Sequence, residues 1–436
     1  MSNTLIVGVG QAFTTVAAAI AASQDGDTIQ VNAGTYVNDF ADITKNITLK
    51  AVGGTVNMVA TEPLPNKKGI LVIDNSATII GFSFSGAAIS AADGNNGAGI
   101  RYQSGNLTLI NDSFSNNQDG LLATPAIAGT GTIDIENSEF ANNGAGDGYS
   151  HNIYVGDVAS FIFNQSYSHD ANVGHDIKSR AEATTITNSR IEDGAGTASY
   201  SIDLPNGGKV LIANSIIQQG TASENPSIIA FGEEGNLHTG SSLTLTNDTI
   251  VNDLTAHTPT GIWNASSTTA TLQNVQVYGL TSGQLVSGSA SLSGVTFIGA
   301  RPRLDLASTW DKTVPTVPAA AVIGSGPDRL TFMMSEDAFK GDAKFTISVD
   351  GTQIGGTQTV TALHAIMQSQ EFDVLGSFAP GKHTVGVAFL NDAYQGTPSL
   401  DRNLYVDSAS LNGVAIAGSS MALLCTGTRS FTFTHP

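Results

Sequence analysis

Along most of the chain, apolar and polar positions alternate in short runs, and an asparagine closes each run. Leu107-Thr108-Leu109-Ile110-Asn111-Asp112-Ser113-Phe114 is followed by Ile133-Asp134-Ile135-Glu136-Asn137-Ser138-Glu139-Phe140. The pattern continues through Phe161-Ile162-Phe163-Asn164, Thr185-Ile186-Thr187-Asn188 and Leu211-Ile212-Ala213-Asn214, and later copies close on Asn247 and Asn274. Alternation with period two marks a strand with one buried face. From asparagine to asparagine the steps are 26, 27, 24, 26, 33 and 27 residues. That period is shorter than the roughly 40 residues of a propeller blade, and no helical pattern lies between the asparagines. It fits one turn of a right-handed parallel β-helix, with rungs about 4.8 Å apart and equivalent residues stacked. The asparagines are then expected as a buried ladder at a tight turn, tolerating a left-handed φ.

Ahead of the repeats, Phe13-Thr14-Thr15-Val16-Ala17-Ala18-Ala19-Ile20 predicts one short amphipathic helix, placed to cover the unpaired edge of the first rung. It leads into the segment from Asp25 to Tyr36, Asp-Gly-Asp-Thr-Ile-Gln-Val-Asn-Ala-Gly-Thr-Tyr. Together with Gln11-Ala12-Phe13 and the rungs, this segment resembles pectate-lyase-like β-helix proteins over roughly residues 1–300. The resemblance implies the fold. It does not choose an activity, because this architecture carries lyases, hydrolases, epimerases and adhesins.

Composition agrees with such a scaffold: of 436 residues only 13% are charged, and 48 are glycine. The net charge of −19 argues against nucleic acid, whose phosphates demand a surplus of Lys and Arg. It leaves room for an acidic polysaccharide held through calcium or a local basic cluster. With Cys425 as the single cysteine, an intramolecular disulfide is excluded and a Cys-rich metal site is disfavoured. Met1-Ser2-Asn3-Thr4-Leu5 shows no cleavable signal, and no stretch reaches the roughly 18 apolar residues of a membrane span.

Past Arg301-Pro302 the asparagine period stops. Pro315, Pro318 and Ala319-Ala320-Ala321 predict a linker, placing a β-helix at 1–310 and a second domain at 311–436. Short alternating strands such as Phe345-Thr346-Ile347-Ser348-Val349 and Thr384-Val385-Gly386-Val387-Ala388-Phe389, with turns at Asp350-Gly351 and Pro380-Gly381, predict a small antiparallel β-sandwich. The whole chain is therefore expected to be all-β. The sandwich carries acids in its loops, and hard oxygen ligands on short loops suit calcium, although solvated turn acids read the same way.

The run Phe389-Leu390-Asn391-Asp392-Ala393-Tyr394-Gln395-Gly396-Thr397, closed by Asp401-Arg402-Asn403-Leu404-Tyr405-Val406-Asp407, is similar to calcium-dependent xylan-binding modules. So is Ser335-Glu336-Asp337-Ala338-Phe339-Lys340-Gly341-Asp342-Ala343. The resemblance spans nearly all of residues 320–415. It implies calcium bridging protein carboxylates to sugar hydroxyls, with Asp392, Asp401 and Asn403 on the ligand side and Glu336 and Asp337 near a calcium. Tyr394 and Arg402 are the expected sugar contacts. Gln395 stands where such modules often have a second glycine, so xylan itself is not implied.

One set of rungs departs from scaffold composition: His151-Asn152-Ile153-Tyr154, His175-Asp176-Ile177-Lys178-Ser179-Arg180 and Tyr200-Ser201-Ile202-Asp203, followed by a rung ending in Glu233-Glu234. Alternation puts Ile153, Ile177 and Ile202 inside. Asn152, Asp176 and Ser201 would then form one outward column, and Tyr154, Lys178 and Asp203 another. Cleaving a uronate polymer by β-elimination needs a neutralised carboxylate, a base for the C5 proton and an acid for the leaving oxygen. Lys178 or Arg180 can serve as base or neutraliser, Asp176 and Asp203 as calcium ligands, and Tyr154, His151 or His175 as acid. Glycoside hydrolysis would use two carboxylates, for which Asp176, Asp203, Glu233 and Glu234 are candidates. The competing reading is a cross-rung charge ladder. On that contrast, Lys178→Ala is expected to abolish turnover without loss of thermal stability if the face is catalytic.

The sequence thus points to a secreted or cell-surface polysaccharide-degrading enzyme, a lyase ahead of a hydrolase, acting on an acidic or hemicellulosic polymer. The opposing class is a non-catalytic protein that binds polysaccharide through both domains.

Overall fold

The computed structural model describes residues 3–304, 321–364, 369–394 and 401–435. The chain divides into two compact units, Met1–Lys312 and Thr313–Pro436. The linker expected around Pro315 and Pro318 lies outside the described residues.

The first unit is a parallel β-helix. One 21-stranded sheet gathers two strands from most turns. A ten-stranded sheet gathers the third, running from Ala41–Ile43 through Ile153–Val155, Ile177–Ser179, Ile202–Leu204 and Ser227–Phe231 to Val286–Ser287. Ile100, Leu121, Ile153, Ile177, Ile202, Ile229 and Ile262 share one register position and are all buried. Each such side chain contributes about 1.5–3 kcal/mol relative to exposure. Phe84, Phe114 and Phe140 stack through the interior with centroids 5.0 and 4.4 Å apart.

The asparagine turns form, with two corrections. Left-handed φ falls on Asn111, Asn137, Asn188, Asn214, Asn247 and Asn274, but on Gln165 rather than Asn164. Asn164 pairs with Glu136, so the column at that turn is occupied by glutamine. The asparagines are also half-buried or exposed. The buried ladder is the next residue along. Ser138, Ser166, Ser189 and Ser215 each accept, through Oγ, a backbone N–H of the preceding rung at 3.0–3.1 Å. A small hydroxyl supplies the partner that an inward-facing N–H would otherwise lack. Where Asp112 and Asp248 hold the same position, burial pushes their carboxyls up, that of Asp248 to about 7.

The helix spans Val16–Ala22 and buries Val16, Ala19 and Ile20. It starts later than the sequence suggests because Thr15 is its N-cap, accepting Ala18 N–H at 3.2 Å. No helix among the described residues is long and apolar enough to cross a membrane.

The second unit packs a seven-stranded sheet and a four-stranded antiparallel sheet around Phe332, Phe345, Phe372 and Phe389. Among the described residues its strands pair antiparallel except Ala321–Gly324, which runs parallel to Gln370–Gly376, and an isolated parallel bridge joins Glu336 to Leu363.

Candidate active face and calcium site

The ten-stranded sheet fixes one outward column by register: Arg101, Leu122, Tyr154, Lys178, Asp203, Ala230 and Trp263. Tyr154, Lys178 and Asp203 therefore lie side by side as the sequence places them, over Ile153, Ile177 and Ile202. The second expected column does not exist. Asn152, Asp176 and Ser201 are buried, because each precedes the first residue of a strand and belongs to the turn. Asn152 and Asp176 enter a polar spine, while Ser201 Oγ donates to Gln218 O. Asn117 Nδ2 donates to Asn143 Oδ1, Asn143 Nδ2 to Asn152 Oδ1 and Asn152 Nδ2 to Asp176 Oδ1, at 2.9–3.2 Å. Asp176 is fully buried, and burial, aided by Asp193, pushes its carboxyl well above the usual range. A carboxyl enclosed in the interior, accepting from Asn152 and Ala171, does not face the outward column and is not placed to meet substrate. This corrects the role expected for Asp176.

His151, His175 and Tyr200 stack across three rungs, with centroids 4.8 and 5.3 Å apart. His151 Nδ1 accepts His175 N–H at 3.0 Å, and His175 Nδ1 accepts Tyr200 N–H at 3.2 Å. Those bonds leave the proton of each ring on Nε2. His175 Nε2 sits 3.2 Å from Asp203 Oδ2 and donates to it. For His151, burial and then the neighbouring His175 and Lys178 hold the imidazole well below its ordinary value, so it is neutral.

Lys178 Nζ lies 2.5 Å from Asp203 Oδ2 and 3.3 Å from Glu234 Oε1. Arg180 Nη2 lies 2.8 Å from Glu234 Oε2, while its Nη1 donates to Asn206 Oδ1 at 2.6 Å and its Nε to Tyr154 Oη at 3.0 Å. Asp203 is 1% exposed. Burial opposes its ionisation, yet the His175 hydrogen bond and the Lys178 charge outweigh burial and hold its carboxyl well below the usual range. Glu233 moves the other way. Burial, then the hydrogen bond it shares with Asp203, pushes it up to about 8. The two neighbouring carboxyls are thus pushed in opposite directions, Asp203 toward the ionised form and Glu233 toward the protonated one.

Tyr200, Asn206 and His238 are members of this face that the sequence reading did not select. Asn206 Nδ2 ties the Glu233-Glu234 turn through Gly235 O at 3.1 Å, and His238 Nε2 is 2.9 Å from Arg180 O. Tyr200 could have been found, since it holds the position of His151 and His175 in its rung. Asn206 and His238 are set by loops and carry no periodic signal. Asp157, Glu182 and His238 bring one ligand atom each within 4.8 Å of one another behind Arg180, the one such group among the described residues.

In the sandwich, Asp328–Asp337 pairs with Asp401–Leu411, setting Asp337 opposite Asn403. Asn403 Nδ2 donates to Asp337 Oδ2 at 3.0 Å and to Asp401 Oδ2 at 3.2 Å, and Tyr405 Oη donates to Asp337 Oδ2 at 2.6 Å. Glu336 is buried and accepts Ala343 N–H through Oε2, and burial pushes its carboxyl up to about 7. Glu336 Oε1, Asp392 Oδ1 and Asn403 Oδ1 are buried oxygens with no hydrogen-bond partner. Hard oxygens left unpaired in this way fit a calcium ion. Tyr394 is 62% exposed, free to meet a sugar. Arg402 is not: it is 6% exposed, and its guanidinium donates to the carbonyls of Phe339, Lys340, Gly341 and Asn391. It clamps the loops that carry the acids, correcting the sugar contact expected of it. Gln395 lies outside the described residues.

The chain is a parallel β-helix protein that carries a carbohydrate-binding module. The module is residues 330–424, which match the family described as Ca-dependent carbohydrate-binding module xylan-binding (CBM60). Among solved structures, the chain is similar to an alginate lyase from Paenibacillus sp. str. FPU-7, at 18% identity and a TM-score of 0.47 over 67% of this chain and 99% of that one. It is also similar to the pectate lyase Pel9A, at 14% identity and a TM-score of 0.34 over 68% and 78%. A tailspike capsular polysaccharide depolymerase of Acinetobacter baumannii bacteriophage Fri1 matches at 11% identity and a TM-score of 0.38 over 97% and 86%. No curated protein matches the chain.

Proposed function

We propose that the protein is a secreted or cell-surface polysaccharide lyase that cleaves a uronate-containing polymer by β-elimination, held on its substrate by the C-terminal module. The observation that carries this reading is the packed set of Tyr154, Lys178, Arg180, His175, Asp203 and Glu233 on one outward face. Arg180 neutralises the uronate carboxylate, which makes the C5 proton removable. Lys178 enters as the cation of an ion pair with Asp203, so it suits the proton donor to the leaving oxygen better than the base. Tyr154 Oη, held by Arg180 Nε, is the base for the C5 proton once it has given up its own; the C4=C5 double bond forms and the C4–O bond breaks as Lys178 protonates O4. His175 and Asp203 position Lys178. His151 Nε2–H is a second donor facing the same column.

The hydrolase reading is weaker. Its two carboxylates must both face the sugar from roughly 5–9.5 Å apart, whereas Asp203 is buried and held by Lys178 and His175. In the module, Glu336, Asp392 and Asn403, with Asp337 and Asp401 alongside, would hold calcium, which supplies a charge that sugar hydroxyls can ligate. Tethering raises the local concentration of polymer at the β-helix face.

The test is a panel of acidic polysaccharides with the full chain, following the ultraviolet absorbance of an unsaturated uronate. Product without that absorbance turns the assignment to hydrolysis. Calcium-dependent retention with no product from any polymer leaves a binding protein.

A further inference from the structure

Lys178 and Arg180 differ in how their charges are met. Lys178 has Asp203 beside it on the next rung. Arg180 touches Tyr154 Oη and Asn206 Oδ1, and among the described residues the carboxylate paired with it is Glu234. Both cations stand on rigid rungs, with side chains 11% and 22% exposed, while Glu234 is 46% exposed. Glu234 sits on the turn between Gly232 and Gly235, whose φ values are 77° and 73°. That turn is pinned at Gly235 O by Asn206 Nδ2 and at His238 N by Asn206 O. Glu234 can therefore leave the cations by rotating its side chain, with no movement of the loop.

We infer that Glu234 is a place-holder for the substrate's carboxylate, occupying the Lys178–Arg180 pair until a uronate replaces it. The inference rests on the lyase reading and names how its carboxylate subsite is kept closed to neutral sugars. Charge supports it. Lys178 is paired with Asp203 and Arg180 with Glu234, so the two cations are met one for one. Withdrawing Glu234 leaves one uncompensated positive charge, which a uronate carboxylate cancels one for one. A neutral sugar offers nothing in exchange and must leave the ion pair in place.

The experiment is equilibrium binding of size-defined oligo-uronates and of xylo-oligosaccharides to full-length wild type, Glu234→Gln and Glu234→Gln/Arg180→Gln. The module is unchanged in all three, so its contribution cancels in the differences. Glu234→Gln is expected to bind oligo-uronates about fivefold more tightly, the worth of displacing a half-exposed ion pair, with xylo-oligosaccharide binding unchanged. Adding Arg180→Gln should remove the gain. Unchanged or weaker oligo-uronate binding by a folded Glu234→Gln protein overturns the inference, as does an equal gain for the neutral sugar. The selective gain without lyase product from any polymer would uphold the carboxylate subsite and sink the lyase reading. Lyase product without the gain would do the reverse.

Discussion

Replacing Lys178 by alanine tests how far this face is both scaffold and site. Asp203 is 1% exposed, and Lys178 Nζ lies 2.5 Å from it. Removing one partner of a buried pair costs about 3–5 kcal/mol because the other charge is left without compensation. Here His175 Nε2 still donates to Asp203 at 3.2 Å, which places the expected loss near the low end, about 3 kcal/mol. For a unit of this size that is a fall in Tm of about 6 °C. The assay is thermal or urea unfolding of Lys178→Ala, Asp203→Asn and the double variant. Because the cost comes from an orphaned carboxylate, Lys178→Ala/Asp203→Asn should regain about 2 kcal/mol relative to Lys178→Ala. Both Lys178 variants should still lack turnover. Equal stability of the single and double variants would refute the argument, as would an unchanged Tm for Lys178→Ala. From sequence alone, lost stability seemed to favour the charge ladder over catalysis. The burial of Asp203 removes that opposition: the same ion pair stabilises the rung and orients the ammonium.

The remaining expectations are more local. Asp176→Asn replaces a buried acid, whose carboxyl burial holds well above the usual range, by its amide, so turnover should persist and stability should move by under about 1 kcal/mol; Asp176→Ala, which strands Ala171 N–H and leaves Asn152 Nδ2 only its bond to His169 O, should cost about 2 kcal/mol. Glu233 has a folded value of about 8 against an ordinary 4.5. The folded state therefore keeps a proton the unfolded chain has released, and stability falls as pH rises through that window. Glu233→Gln lacks this slope, so unfolding series across pH should show its advantage over wild type growing between about 4.5 and 8. Asp203, shifted the opposite way, loses its contribution only below the ordinary 3.8. Asp392→Ala removes an oxygen with no protein partner. It should abolish calcium-dependent retention in polysaccharide affinity gels, as chelator does for wild type, while leaving calcium-free unfolding of the module unchanged.

What could be read from the sequence divides along the boundary between strand and turn. A residue inside a rung has its direction fixed by pleating, and its neighbours by the rung spacing. For that reason Tyr154, Lys178 and Asp203 could be aligned without coordinates. The rungs of this face are only three residues long, however, at Ile153–Val155, Ile177–Ser179 and Ile202–Leu204. One step outside them the alternation no longer applies. There the side chain turns inward to a backbone carbonyl: Asn152 reaches His169 O and Ser201 reaches Gln218 O. Gln165 replaced asparagine for a related reason, since the turn selects tolerance of left-handed φ and not one amide. Arg402 shows the same limit in the module, because the four carbonyls it holds belong to segments up to 63 residues away. The least legible feature is the opposite shift of the neighbouring Asp203 and Glu233. Neither residue is unusual in its own rung: burial and then Asp203 raise Glu233, whereas the His175 hydrogen bond and the Lys178 charge overcome burial and lower Asp203. Chemistry on a β-helix is thus readable as columns of candidates, while protonation states, which decide between proton donor, base and structural acid, emerge only when turns from successive rungs close over the strand face.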